Sequence, residues 1–206
     1  LELSWRVFEA GKADSVILDY LCEHFNGTTS QMYEILIQAV GEHVETYDLE
    51  ERLLAQMLFT GSCDQIDSVF DLYMKRKRTR ESMVKAYFTQ KCIQYFLEEK
   101  EIDSQIFQYL KNAVGADPGK EKIPTIYLLA LTRYYAGQAE ITADEKKQLQ
   151  IMVNILLESE MVFPYMKDLG RFVSIPEDIM DKTMIEYRGD KNVQPWIEMR
   201  ILPQED

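Results

Sequence analysis

Apolar residues recur along most of the chain at the three- and four-residue spacing of an amphipathic helix. The pattern predicts helices over residues 1–10, 14–25, 30–44, 49–60, 64–78, 80–99, 103–115, 124–136 and 143–159, with a short one over 164–170. Four starts pair a hydroxyl or carboxylate residue with Glu or Gln three positions on: Thr28 with Gln31, Asp48 with Glu51, Ser62 with Gln65, and Thr142 with Glu145. In each pair the first side chain accepts from an early helical amide while the second reaches back to the cap. Gly27, Gly61 and Gly137 follow apolar runs, the place of a left-handed residue just past a helix end. Pro124 suits a first turn, where its missing N–H is no loss.

Weak internal repetition accompanies the periodicity. "DSVILDYL" (residues 14–21) and "DSQIFQYL" (103–110) share Asp, Ser, Ile, Tyr and Leu, and "AGKAD" (10–14) and "AGQAE" (136–140) each join one helix to the next. Helical hairpins recurring at such intervals bury their apolar stripes against neighbouring hairpins. The expected fold is therefore all-α, an α-solenoid of helical hairpins with tetratricopeptide-like geometry; a closed helical bundle is the second reading. Beyond residue 171 the period changes. Ile185 and Tyr187, then Ile197, Met199 and Ile201, alternate with polar residues around the turn-forming "GDKN", which predicts a short C-terminal β-hairpin. The expected division is a helical array over 1–171 and an extended segment over 172–206, the start of a further domain in one reading.

The stretches "LDYLCEHFNGTTSQMYEI" and "ETYDLEERLLAQMLFTG" within residues 18–61, together with the late "IEYRG" and "WIEMRIL", resemble a segment of a family of very large uncharacterised proteins of Clostridia and related gut Firmicutes. The resemblance implies an interior fragment in which a tetratricopeptide-like array leads into β structure. The tetratricopeptide likeness is one of geometry, because the Trp, Gly-Tyr and Pro positions of that consensus align to no single unit. No catalytic or ligand-binding residue is carried over with it. The opening "LELSWRVFEAG" agrees, reading as the middle of an amphipathic helix and so as a piece of a longer chain, expected to be monomeric by itself.

Composition narrows the function further. A chain of 206 residues, 46% hydrophobic, is long enough to bury a core without staples. Cys22, Cys63 and Cys92 are odd in number and widely spaced, so they read as reduced, packed thiols in a reducing, cytoplasmic setting. No stretch is apolar enough to span a bilayer. Against the net charge of -12 stands one basic run, with Lys75, Arg76, Lys77, Arg78 and Arg80 filling five of six positions.

Two readings of that run compete. Cations in a last helical turn interact favourably with the free carbonyls there, by about 0.3–1 kcal/mol each. The functional reading is a binding site for an acidic protein or peptide segment. Nucleic acid is not expected, although five phosphate contacts would give a log-log salt slope of about -4.5, because the acidic surroundings repel a polyanion.

Other motifs have simpler explanations. "RGD" at 188–190 is turn chemistry, and "NGT" at 26–28 is a helix stop followed by a cap. Cys22 and His24 lie two apart on one helix, where side chains diverge. His43 has Glu42 and Glu45 nearby but no identified nucleophile. No catalytic residue, metal set, phosphate-binding glycine motif or cofactor is expected. The tyrosines and phenylalanines of residues 84–99 and 126–137 are expected mainly to pack between helices, a minority serving as peptide anchors. The sequence thus favours a non-catalytic protein-interaction scaffold within a larger protein. The alternative is the helical domain of a carbohydrate-active or peptide-processing enzyme with an acidic cleft.

Overall fold

The computed structural model describes residues 1–60, 65–98, 102–115, 118, 123–159, 161, 163 and 165–177. Every regular element among them is a helix. In order they are α1 (Glu2–Glu9), α2 (Ser15–His24), α3 (Thr29–Gly41), α4 (Tyr47–Thr60), α5 (Ile66–Met74), α6 (Glu81–Glu98), α7 (Ser104–Val114), α8 (Thr125–Ala136), α9 (Ala143–Glu158) and α10 (Met166–Leu169). The expected β-hairpin, the Arg-Gly-Asp tripeptide, Gly61, Ser62 and Cys63 lie outside the described residues.

Local side chains start the helices as their chemistry dictates. Thr28 and Thr142 form reciprocal capping boxes with Gln31 and Glu145. Asp14 accepts from the Ile17 amide at 3.0 Å and Asp103 from the Ile106 amide at 2.8 Å. The two similar stretches at 14–21 and 103–110 are therefore the same device, an Asp cap opening a helix. Asp48 is a correction: α4 begins at Tyr47, which leaves Asp48 inside the first turn.

The stops differ more. Neither Gly27 nor Gly137 is left-handed; the positive φ values belong to Gly11 (67°), Gly115 (65°) and His43 (59°). Gly27 is needed for space, because a Cβ there would lie 2.5 Å from the Phe25 ring. The pentapeptides "AGKAD" and "AGQAE" accordingly share sequence but not backbone, their glycines having φ of 67° and -83°.

The chain divides into two compact units, residues 1–87 and 88–206. In the first, α4 is the hub, packing on α2, α3 and α5, while α2 also packs on α1 and α3. Leu49, Leu53, Leu54 and Met57 of α4 are fully buried, each side chain stabilising by about 1.5–3 kcal/mol. Arg52 reaches from α4 to donate to the carbonyls of Cys22 and Phe25 at the end of α2, where a cation complements the helix dipole.

In the second unit the hub is α8, packed on α7, α9 and α10. Its residues Ile126 to Thr132 are all buried, as expected of a helix surrounded by others. Its hydroxyls find partners: Tyr127 OH lies 3.2 Å from Thr89 Oγ1, and Thr132 Oγ1 donates to the Leu129 carbonyl at 3.0 Å. Arg171 donates to the carbonyls of Ala136 and Gln138 at 2.6 and 2.5 Å, ending α8 as Arg52 ends α2. The aromatic residues Tyr127, Tyr135 and Phe88 are packed in this core.

Candidate functional site

The basic run does not lie in a last helical turn. Helix α5 was expected to reach residue 78 but stops at Met74, and Lys75 is its C-cap. The residues that follow have other partners for the groups a continuing helix would satisfy. Thr79 Oγ1 donates to the Arg76 carbonyl at 2.8 Å, the Arg80 amide donates to Tyr73 OH at 2.9 Å, and Tyr47 OH donates to the Arg78 carbonyl at 2.7 Å. Tyr47 and Tyr73 stack with ring centroids 5.7 Å apart. The connection between α5 and α6 is thus held at several points by side chains of α4, α5 and the connection itself.

Arg76 contributes a further anchor. Its Nη2 donates to Glu50 Oε1 at 2.8 Å and its Nε to Glu50 Oε2 at 3.3 Å, a two-point guanidinium–carboxylate contact. Thr46 Oγ1 donates to Glu50 Oε1 at 2.6 Å and accepts from Arg76 Nη2 at 2.9 Å. Glu50 is 0% exposed, so its charge requires this compensation. The contact with Glu50 also holds the Arg76 guanidinium above its ordinary pKa. Arg80 pairs with Glu51 at 3.0 Å.

The five sequence-predicted residues therefore separate. Arg76 and Arg80 tie the connection to α4. Lys75, Lys77 and Arg78 are exposed, and their side chains form no ion pair or hydrogen bond among the described residues.

Beside the connection is a cleft of about 480 Å³ lined by Asp19, Cys22, Glu23, Glu45, Tyr47, Asp48, Arg76, Lys77 and Arg78. Two smaller depressions share Glu45 with it: one of about 310 Å³ reaching Val16 and Val44, the other of about 380 Å³ reaching Val40, His43, Leu72 and Lys75. Three members of the basic run thus meet in one cleft, while Lys75 faces the adjoining one and Arg80 lines none of these three. Among the described residues, no group of His, Cys, Asp and Glu is arranged to hold a metal ion. The Cys22 thiol is pushed up to about 12, first by burial and then by Asp19; a thiol kept neutral is a poor nucleophile.

The acidic pair Glu50 and Glu51 reads in sequence as a solvated helix face; Glu50 is instead buried, and its position carries a signal. Glu50, Leu53, Leu54 and Met57 occupy the i, i+3, i+4 and i+7 positions of one helical face, so a charge stands on an apolar stripe. Asp19, Glu23 and Asp48 carry no comparable mark, because they join the cleft only through the packing of α2 beside α4.

The chain belongs to a family of unknown function, described as "Family of unknown function (DUF5717) C-terminal", whose model matches residues 1–206. No curated protein and no solved structure matches the chain.

Proposed function

We propose that this member of the family is a non-catalytic protein-interaction scaffold, and that the connection between α5 and α6 with its adjoining cleft is where a segment of another polypeptide docks. The observation that carries this reading is the contrast within residues 75–80. The backbone is fixed by Tyr47, Tyr73, Thr79 and the Arg76–Glu50 pair, while Lys75, Lys77 and Arg78 hold their charges out unpaired. A loop fixed in this way loses little further freedom when a partner arrives, which favours affinity. Its free cations can steer an acidic segment towards it and set the register.

The helical arrangement supports the same reading. In the first unit α2 packs on its neighbour α3 and on α4, a pattern in keeping with stacked helical hairpins of solenoid type, which present long surfaces to peptide segments. The expected setting is cytoplasmic and the expected state monomeric; no helix among the described residues is long and apolar enough to cross a membrane.

The test separates the free cations from the structural ones. A Lys75→Glu, Lys77→Glu, Arg78→Glu variant leaves Arg76 and Arg80 in place, so its stability should stay within about 0.5 kcal/mol of the parent for each exposed change. Affinity capture from the source organism should return a discrete polypeptide with the parent chain and lose it with the variant. Equal recovery by both would remove the basic connection from the docking site.

A further inference from the structure

The cleft is not a simple anion site. Its cations come from one element, the α5–α6 connection, and its carboxylates from others: Asp19 and Glu23 from α2, Glu45 from the α3–α4 connection, and Asp48 from the first turn of α4. Opposite charges sharing a cleft ordinarily neutralise one another if their side chains reach. Arg76 and Glu45 do so, at 3.5 Å, but the Asp19 and Asp48 carboxylates, like the ends of Lys77 and Arg78, make no hydrogen bond or ion pair among the described residues. All four are exposed. The cleft keeps unsatisfied charge of both signs on different elements, and one ligand can complete both.

We infer that the occupant is a polypeptide segment of divided charge, placing an acidic block on Lys77 and Arg78 and an adjoining basic block on Asp19 and Asp48. This rests on the docking reading above and narrows it. A wholly acidic segment gains the two cations but meets the carboxylates of α2 and α4. A wholly basic one meets Lys77 and Arg78, with Arg76 beside them. Only a segment carrying both signs in separate blocks avoids repulsion at either end, so specificity arises from what the cleft rejects as much as from what it attracts. The volume, about 480 Å³, lies within the range of sites that take a small molecule or a few side chains.

The experiment uses the 206-residue chain and three fluorescein-labelled peptides of equal length, capped at both termini. One has four lysines, two glycines and four glutamates; the others are all-lysine and all-glutamate with the same central glycines. Anisotropy titrations at about 0.15 M salt, which screens the pull of the net charge of -12 on a polycation beyond about 8 Å, should give the divided peptide about tenfold tighter binding than either single-sign peptide, since exposed pairs are individually weak and sum to roughly that factor.

Two variants assign the ends. Asp19→Lys with Asp48→Lys should shift the preference to the all-glutamate peptide, and Lys77→Glu with Arg78→Glu should shift it to the all-lysine peptide. Asp19→Asn with Asp48→Asn, which keeps size and removes charge, serves where the reversal disturbs folding, and should abolish the preference over all-glutamate. If the all-glutamate peptide binds the parent as tightly as the divided one, the inference is overturned while the acidic-partner reading of the scaffold stands. Absence of binding by the divided peptide also overturns it, and leaves the scaffold to be judged by the capture experiment.

Discussion

The hubs of the two units, α4 and α8, solve the same packing problem with different chemistry. Helix α8 is buried over nearly its whole circumference and satisfies its few polar groups with neutral hydroxyls, as between Tyr127 and Thr89. Helix α4 is buried on one stripe and places a carboxylate, Glu50, in that stripe against Arg76 from beyond α5. A hydroxyl pair within an apolar core adds little directional information. A buried ion pair is demanding in geometry and so fixes where the α5–α6 connection lies on α4. The difference teaches that the charge on α4 acts as a positioning device for an exposed loop, whereas the polar groups of α8 only complete a core.

The comparison is broken most severely by Arg76→Ala, which leaves the Glu50 carboxylate buried without a counter-cation, with the Thr46 hydroxyl still donating to it. Destabilisation of about 3–5 kcal/mol is expected for such a half-removed pair, read from urea unfolding. The double replacement Glu50→Leu with Arg76→Met should recover most of it while loosening the connection. A loss below about 1 kcal/mol in the single variant would mean that Glu50 reaches water and positions nothing.

Tyr127→Phe is the matching change in the second unit. It removes one buried hydroxyl and should cost about 1 kcal/mol, with no effect on the α5–α6 connection. A cost equal to that of Arg76→Ala would erase the distinction between the hubs.

A smaller effect sharpens the contrast through pH. The Glu145 carboxyl is held below its ordinary pKa, first by the Thr142 backbone N–H and then by Lys111 and the Thr142 hydroxyl. A depressed folded pKa means that the contribution is fully present above the ordinary carboxylate range and is lost as pH falls through the folded value. Thr142→Ala should cost about 1 kcal/mol at neutral pH and flatten the acid limb of the stability profile, measured as the urea midpoint against pH. An unchanged acid limb would show that the cap hydroxyl contributes nothing to that shift.

Much of this architecture was legible in sequence because helices and caps are local. Thr28 and Thr142, the expected caps, each act on an amide three residues away, as do Asp14 and Asp103, which the sequence marks only as a repeat, and the periodic pattern locates the elements to within a few residues. Gly27 was read for backbone freedom, but what requires glycine there is the Phe25 ring, a matter of space that the bare sequence does not carry. One of the left-handed positions falls on His43, where the Val44 amide donates to the Ala39 carbonyl at 2.9 Å to close the end of α3. The basic run was visible at once. Its separation into anchors and free cations was not, since that depends on Glu50, 26 residues before Arg76, and on two tyrosine hydroxyls. The cleft's carboxylates were hidden for the same reason, as surface residues of separate helices until α2 and α4 pack.

The held connection has a consequence for proteolysis. Residues 75–80 offer five cleavage positions to an enzyme that cuts after lysine and arginine, and four of those residues, all but Arg76, are exposed. Such an enzyme must draw several residues on either side into an extended strand, which this connection cannot supply while Tyr47 holds Arg78 and Glu50 holds Arg76. Scission there reports departure of the connection from α4 and not mere exposure of the bonds, so the richest tryptic sequence in the chain doubles as a clock for local unfolding.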